Sequence, residues 1–372
     1  MISTKTSRQS GPFNWPGLLS VLRRNAPCSR RSGRMGGSLS MAARSEFAEQ
    51  AGFVGSSRLA WRGAHPWHQG ERVWSTTNSH IDVWIELLHT LDLEPAPVLL
   101  PTLCADFEGD QWTHTTVAPG DLWSCYGIAV ENMLVWRPLL AHLVEQLDRG
   151  NAVLVEVDSF HLPDMTGSNY QREHAKTLIA VTGYDRHAHK LRYLHGAIGA
   201  DVGGEDLDAL MLAGIGGAQL PPAAQIVKLD RLAARTPTER AQVGVALARF
   251  HGTRLPTRNP VKAFSEALRS HGAWLAGGDA EHYQRWAFAT LHQCGASFEV
   301  AADVCSWLAY HGEPVTAAVA PLRLVSHAAR ALHQRLVRVS QSGRMPDVGH
   351  TVDDMARAWD EAMAVLRPVY GA

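Results

Sequence analysis

Two side chains in this chain have the type and placement that a nucleophile and its general base need, a serine ahead of a helical run and a histidine ahead of a strand. Ser79 closes the polar stretch Ser75-Thr76-Thr77-Asn78-Ser79 and precedes His80–Leu91, where Ile81, Trp84, Ile85, Leu88 and Leu91 recur at helical spacing. The spacing predicts a helix there, with Asn78 or Ser79 as its N-cap. A hydroxyl in that position meets unpaired backbone N–H groups and the positive end of the helix dipole. There a nucleophile can be activated and a developing oxyanion stabilised; the same placement also suits a plain N-cap. His174 precedes the apolar run Ala175–Thr182. From a strand mouth it can reach a helix N-terminus across a cleft as a general base, or sit as a satisfied polar residue at a strand edge. Asp158 ends the run Ala152–Asp158 and either orients a histidine or caps the loop containing Pro163.

Other chemistry finds less support. His187-x-His189 has no third ligand at metal spacing, and there is no HExxH. The glycine-rich stretch from Gly199 to Gly217 has neither GxGxxG after a strand nor a P-loop lysine. Neither a metal nor a cofactor is expected. The five cysteines are widely spaced without a CxxC pair, which fits neither a disulfide framework nor a zinc finger. Cys294 and Cys305 fall in helical runs and read as core.

These residues must be held by two kinds of element. In the first half, strands are expected at Val98–Leu103, Gln111–Val117, Ala152–Asp158, Ala175–Thr182, Lys190–His195 and Gln225–Leu229. Helices are expected at His80–Leu91, Trp136–Arg149 and Glu205–Ala213. From about Arg231 helical periodicity takes over, with runs at Thr238–Phe250, Pro260–His271, Asp279–His311, Val315–Ser340 and Val352–Val369. The fold class read from this is α+β: an α/β domain over residues 59–230 followed by an all-helical bundle domain over 231–372.

Composition bounds the function. Hydrophobic residues make up 45% of 372 and net charge is −1, so a sizeable core is available and a whole-chain nucleic-acid binder is disfavoured. The balance conceals an asymmetry: residues 1–45 hold eight Lys or Arg and no acid, leaving the rest net acidic. Residues 1–58 read as a basic, Ser/Arg-rich, disordered leader, or as sequence upstream of a later start at Met35 or Met41. No apolar run reaches the roughly 18 residues of a membrane helix. A cytoplasmic protein with no membrane or nucleic-acid partner is expected.

Many separate runs agree, in order, with one family. Asn78-Ser-His-Ile-Asp-Val-Trp-Ile-Glu86, Asp106-Phe-Glu-Gly-Asp-Gln-Trp112, Val135-Trp-Arg-Pro-Leu139, Val155-Glu-Val-Asp-Ser-Phe-His-Leu-Pro-Asp164, His174-x-Lys-Thr and Ala287-Phe-Ala-Thr-Leu-His-Gln-Cys-Gly-Ala296 resemble an uncharacterised bacterial family, domain of unknown function 1839. The resemblance spans about residues 60–370.

The middle segment also resembles the papain-like superfamily, in particular acyltransferases that move an aminoacyl group from a carrier-protein thioester onto an amine. That resemblance implies a papain-like cysteine-peptidase-type α/β domain with Ser79 as nucleophile and His174 as base. It puts the orienting residue near His195-Gly196, with an acyl or aminoacyl carrier protein and a small-molecule amine acceptor as partners. The superfamily pattern has Cys at the first position and Asn at the third, where this chain has Ser79 and Gly196. A serine hydroxyl is far less acidic than a thiol, so the dipole alone does not ionise it. Without the usual third residue, His174 needs Asp158 or His195 to orient it. The chain is then either a serine variant or a degenerate member that binds without turnover.

Overall fold

In the computed structural model the described residues are 52–212 and 222–371. They form a mixed α+β structure in which a mainly antiparallel sheet is followed by a helical region. The expectations for residues 1–51 lie outside the described residues.

Strand β1 (Phe53–Val54) leads through the turns Ser57–Leu59 and Pro66–His68 to helix α1 (Ser79–Thr90). Asn78 caps this helix, its Oδ1 accepting the N–H groups of His80 and Ile81 at 3.1 and 3.0 Å. The helix is buried on nearly every side, as expected of a helix that is apolar beyond a single stripe.

The expected strand Val98–Leu103 is not one. The segment forms two 3-10 turns, Ala96–Val98 and Leu100–Cys104. Pro95, Pro97 and Pro101 fix φ and remove ladder donors, so the run is buried without pairing; a short apolar run cannot by itself distinguish strand from buried turn. The expected strand Gln111–Val117 shrinks to β3 (Gln111–Trp112), paired with β2 (Phe107–Glu108). Helix α2 (Pro119–Tyr126) was not anticipated; it ends on Gly127 at φ +69°, where an added Cβ would lie 2.1 Å from the Arg231 carbonyl oxygen.

Next come β4 (Ala129–Asn132), α3 (Leu139–Asp148), β5 (Ala152–Asp158), β6 (Lys176–Asp185), β7 (Lys190–His195), β8 (Ile198–Gly203), α4 (Gly204–Leu212) and β9 (Ala224–Lys228). The sheet order is β4-β9-β5-β6-β7-β8, with β1 added beside β6, and every pairing is antiparallel. Register places Leu154 opposite Ala180 and Asp158 opposite Lys176. Because side chains alternate along a strand, Leu154, Ala180, Leu194 and Val227 join the core under α1. Val153, Val155, Ile179, Val181 and Tyr193 join the core under α3 and α4. Both faces are covered, which is why these strands read as nearly continuous apolar runs.

The helical half holds α5 (Pro237–Gly252), α6 (Pro260–Gly277) and α7 (Ala280–Ala287), a π-helical turn (Phe288–His292), then α8 (Gln293–Tyr310), α9 (Thr316–Leu336), α10 (Val339–Ser342) and α11 (Gly349–Tyr370). A capping box between Thr236 and Glu239 starts α5. Helix α8 is the buried centre, and its Phe298, Val304 and Cys305 share one continuous core with α1. Buried His251 of α5 donates to Asp121 of α2 at 2.7 Å, a polar tie between the halves. Among the described residues, no helix is long and apolar enough to cross a membrane.

Candidate functional site

Ser79 is the first residue inside α1, and the cap is its neighbour. Because Asn78 satisfies the His80 and Ile81 N–H groups, neither the Ser79 N–H nor its hydroxyl has a partner among the described residues. Both sit at the helix's positive end on a cavity of about 720 Å³, lined also by His80, His114, Glu156, Lys176 and Phe288. Strands β5 and β6 contribute Glu156 and Lys176, joined at 3.0 Å. Strands β4 and β9 add Asn132 and Gln225, whose amides bond each other at 3.1 Å.

Two imidazoles of this cavity are held neutral. Burial, then the neighbouring His114, pushes the His80 pKa down to about 4. Val117 N–H donates to His80 Nδ1 at 3.3 Å, so the neutral ring carries its proton on Nε2. The His114 pKa is also lowered, by burial and then by the Lys176 ammonium. Neutral imidazoles can accept a proton near pH 7.

The turn that presents Ser79 is anchored from below. His68 donates from Nδ1 to Glu86 Oε1 at 2.6 Å, and its Nε2 lies 3.4 Å from Asp82 Oδ1. Both carboxylates are almost fully buried. Burial opposes a charge on His68, but Asp82 and Glu86 outweigh it and push the pKa up to about 9. Asp82 also accepts the Thr77 N–H through both oxygens, and Glu86 accepts the His65 N–H. The segment 65–77 is therefore tied to the helix whose first turn carries Ser79.

His174 and Asp158 do meet. His174 Nδ1 lies 2.6 Å from Asp158 Oδ2, and the ring stacks on Phe160 at 4.3 Å with 11° between planes. Asp158 also accepts the N–H groups of Phe160 and Ala175. Burial would raise the Asp158 pKa, but the His174 bond and these amides hold it below the usual carboxylate range. This dyad lines a second cavity, of about 560 Å³, bounded by Ala209 and Leu210 of α4. The two cavities share Glu156, Lys176 and Ala223. Ser79 lines the first of these adjoining cavities and His174 the second.

His195 is engaged elsewhere. Its Nδ1 lies 2.6 Å from Asp164 Oδ2, its Nε2 accepts from the Thr177 hydroxyl at 2.9 Å, and Tyr193 donates to the same carboxylate. This locks the end of β7 to the turn Pro163–Met165. Of the two orienting partners considered for His174, the one in contact is Asp158. Gly196 turns from β7 into β8 at φ +53°, a conformation for which glycine carries no penalty.

Spacing did not single out His80, His114, Glu156, Lys176 or Phe288. The signal available for the first was its place beside Ser79. Among the described residues, no group of three or more His, Cys, Asp or Glu is placed to hold a metal ion.

Residues 63–229 match the model of the DUF1839 N-terminal domain, and residues 237–368 match that of the DUF1839 C-terminal domain. This chain belongs to the DUF1839 family. No curated protein matches it. In this DUF1839 chain both family domains reach the Ser79 cavity: the N-terminal one supplies α1 and the sheet, and the C-terminal one supplies Phe288.

Proposed function

We propose that this DUF1839 protein is an acyl- or aminoacyltransferase, or a thioester hydrolase, acting on a carrier-protein or pantetheine thioester with Ser79 as nucleophile in a papain-like site. The observation that carries this reading is the unclaimed Ser79 hydroxyl and N–H at the end of a buried helix, opening on a cavity with neutral imidazoles. Ser79 Oγ attacks the thioester carbonyl while its proton passes to an imidazole. The Ser79 N–H faces the developing oxyanion. The C–S bond breaks, the pantetheine thiolate leaves with that proton, and an acyl-serine ester remains. An amine, or water, then attacks the ester and returns the serine hydroxyl.

A nucleophile and its base must come within hydrogen-bond reach. His114 shares the Ser79 cavity, whereas the His174–Asp158 dyad lines the adjoining one, so His114 is the favoured base. Release of free thiol from an aminoacyl-pantetheine thioester tests the reading. Ser79→Ala should abolish it in a protein that still folds, Ser79→Cys should retain or raise it, and turnover persisting in Ser79→Ala would overturn the assignment.

A binding role is the second reading, and one observation favours it: the ordered imidazole–carboxylate dyad lies outside the Ser79 cavity. On that reading the thioester binds, no thiol is released, and Ser79→Ala leaves binding unchanged.

A further inference from the structure

The family's C-terminal domain reaches Ser79 through one irregular turn. Between α7 and α8 the helix widens to π geometry over Phe288–His292, with Gln293 N–H bonding the Phe288 carbonyl. The Thr290 hydroxyl donates to the Trp286 carbonyl at 2.7 Å within the same turn. Single π turns inside α-helices recur at functional sites, and this one, with the residue that follows it, brings three side chains to the start of α1 and its cavity. Phe288, half exposed, lines the cavity. His292 Nε2 donates to the Thr77 carbonyl at 2.9 Å. Gln293, buried, donates to the same carbonyl and accepts from Asn78 Nδ2, both at 3.4 Å. One turn further, Gly295 lets the Trp74 indole lie against the helix: an added Cβ would sit 2.3 Å from Trp74 Nε1. Two turns on, Glu299 accepts the Val73 and Trp74 N–H groups at 3.0 Å.

We infer that the π turn is a working part of the Ser79 site. His292 and Gln293 are positioning residues that hold Thr77 and Asn78, so that the cap closes and Ser79 faces the cavity. Phe288 is the wall against which the acyl or pantetheine chain of the bound thioester lies. The placement of Phe288 against a thioester rests on the function proposed above; the clamp on Thr77 and Asn78 does not. On this account the C-terminal domain is not an appended module, because the N-terminal domain alone lacks both the clamp and one wall of its cavity.

Two readouts on the full chain test the pair of roles. The first is amide hydrogen exchange at His80 and Ile81, whose N–H groups bond Asn78 Oδ1. In His292→Leu and Gln293→Leu it should rise about tenfold or more, while exchange in the paired strands β5 and β6 stays unchanged. His292→Gln, which keeps a side-chain N–H donor, should restore part of the protection. The second readout is the affinity for S-acetyl-pantetheine measured by calorimetry. Phe288→Ala should weaken it about tenfold without altering exchange at His80 and Ile81.

Unchanged exchange in both clamp variants overturns the positioning role, as does exchange rising equally across the sheet. Unchanged affinity in Phe288→Ala overturns the wall. Absence of any thioester binding to the unaltered protein overturns the wall and counts against the proposed function, and the exchange result then decides the clamp alone.

Discussion

Asn78 caps the helix whose first residue is Ser79, and that division of labour leaves the Ser79 hydroxyl unclaimed. The cap oxygen takes the His80 and Ile81 N–H groups, while the cap amide donates to the Thr115 carbonyl and Gln293 Oε1. Asn78→Ala removes all four bonds. Loss of an N-cap costs about 0.5–2 kcal/mol, so urea unfolding should show a destabilisation in that range. Asn78→Asp keeps the cap oxygen but loses the amide donors, and should fall between.

The knot beneath α1 gives a pH signature whose sign follows from His68. Its pKa is raised from 6.5 to about 9 in the folded chain, so its contribution is fully present below pH 6.5 and is lost as pH rises through about 9. A shift of that size corresponds to roughly 3 kcal/mol. Unfolding midpoints measured at pH 6 and pH 9.5 should drop with rising pH. The drop should flatten in Glu86→Gln, where one of the two carboxylates that hold the charge is gone.

The cavity imidazoles carry the opposite sign. His80 is depressed to about 4 by burial and then by His114, so its contribution is present above pH 6.5 and lost as pH falls through about 4. Lowering of His114 has a kinetic counterpart. With His114 as base, the acidic limb of the pH–rate profile for thiol release should have its midpoint below 6.5. A midpoint at or above 6.5 that survives His114→Ala would argue for another base.

Gly295→Ala tests the packing behind the Ser79 turn. Alanine favours a helix by about 1 kcal/mol over glycine, yet here its methyl would meet the Trp74 indole at 2.3 Å. Overpacking of this kind costs about 1–3 kcal/mol, so the variant should be less stable in urea. The Trp74 fluorescence should shift with it.

The parts of the fold that the sequence announces are those with one clear period. Ala152–Asp158 and Lys190–His195 match their expected bounds to the residue, because β-rich runs end there on a loop with Pro163 and on Gly196. Helix α1 was legible from five apolar positions at helical spacing. Val98–Leu103 misled because three prolines turned an apolar run into buried 3-10 turns. The candidate site was half legible. Ser79 followed from a helix start, and the sequence left Asp158 and His195 both open as partners of His174; the pairing of β5 with β6 brings Asp158 to it. His114 lies in the run Gln111–Val117, read as a strand that the structure keeps only at Gln111–Trp112, and the π turn lies inside a run that reads as continuous helix; tertiary packing brings both to the cavity.

The most direct test of Ser79 as nucleophile is the mass of the intact protein after incubation with an aminoacyl-pantetheine thioester, with the adduct mapped by peptide fragmentation. Unaltered protein, Ser79→Ala, His114→Ala and His174→Ala are run together. The expected result is an aminoacyl adduct on Ser79 in the unaltered protein, absent in Ser79→Ala and strongly reduced in His114→Ala. No adduct in the unaltered protein, or one on a residue other than Ser79, would contradict it.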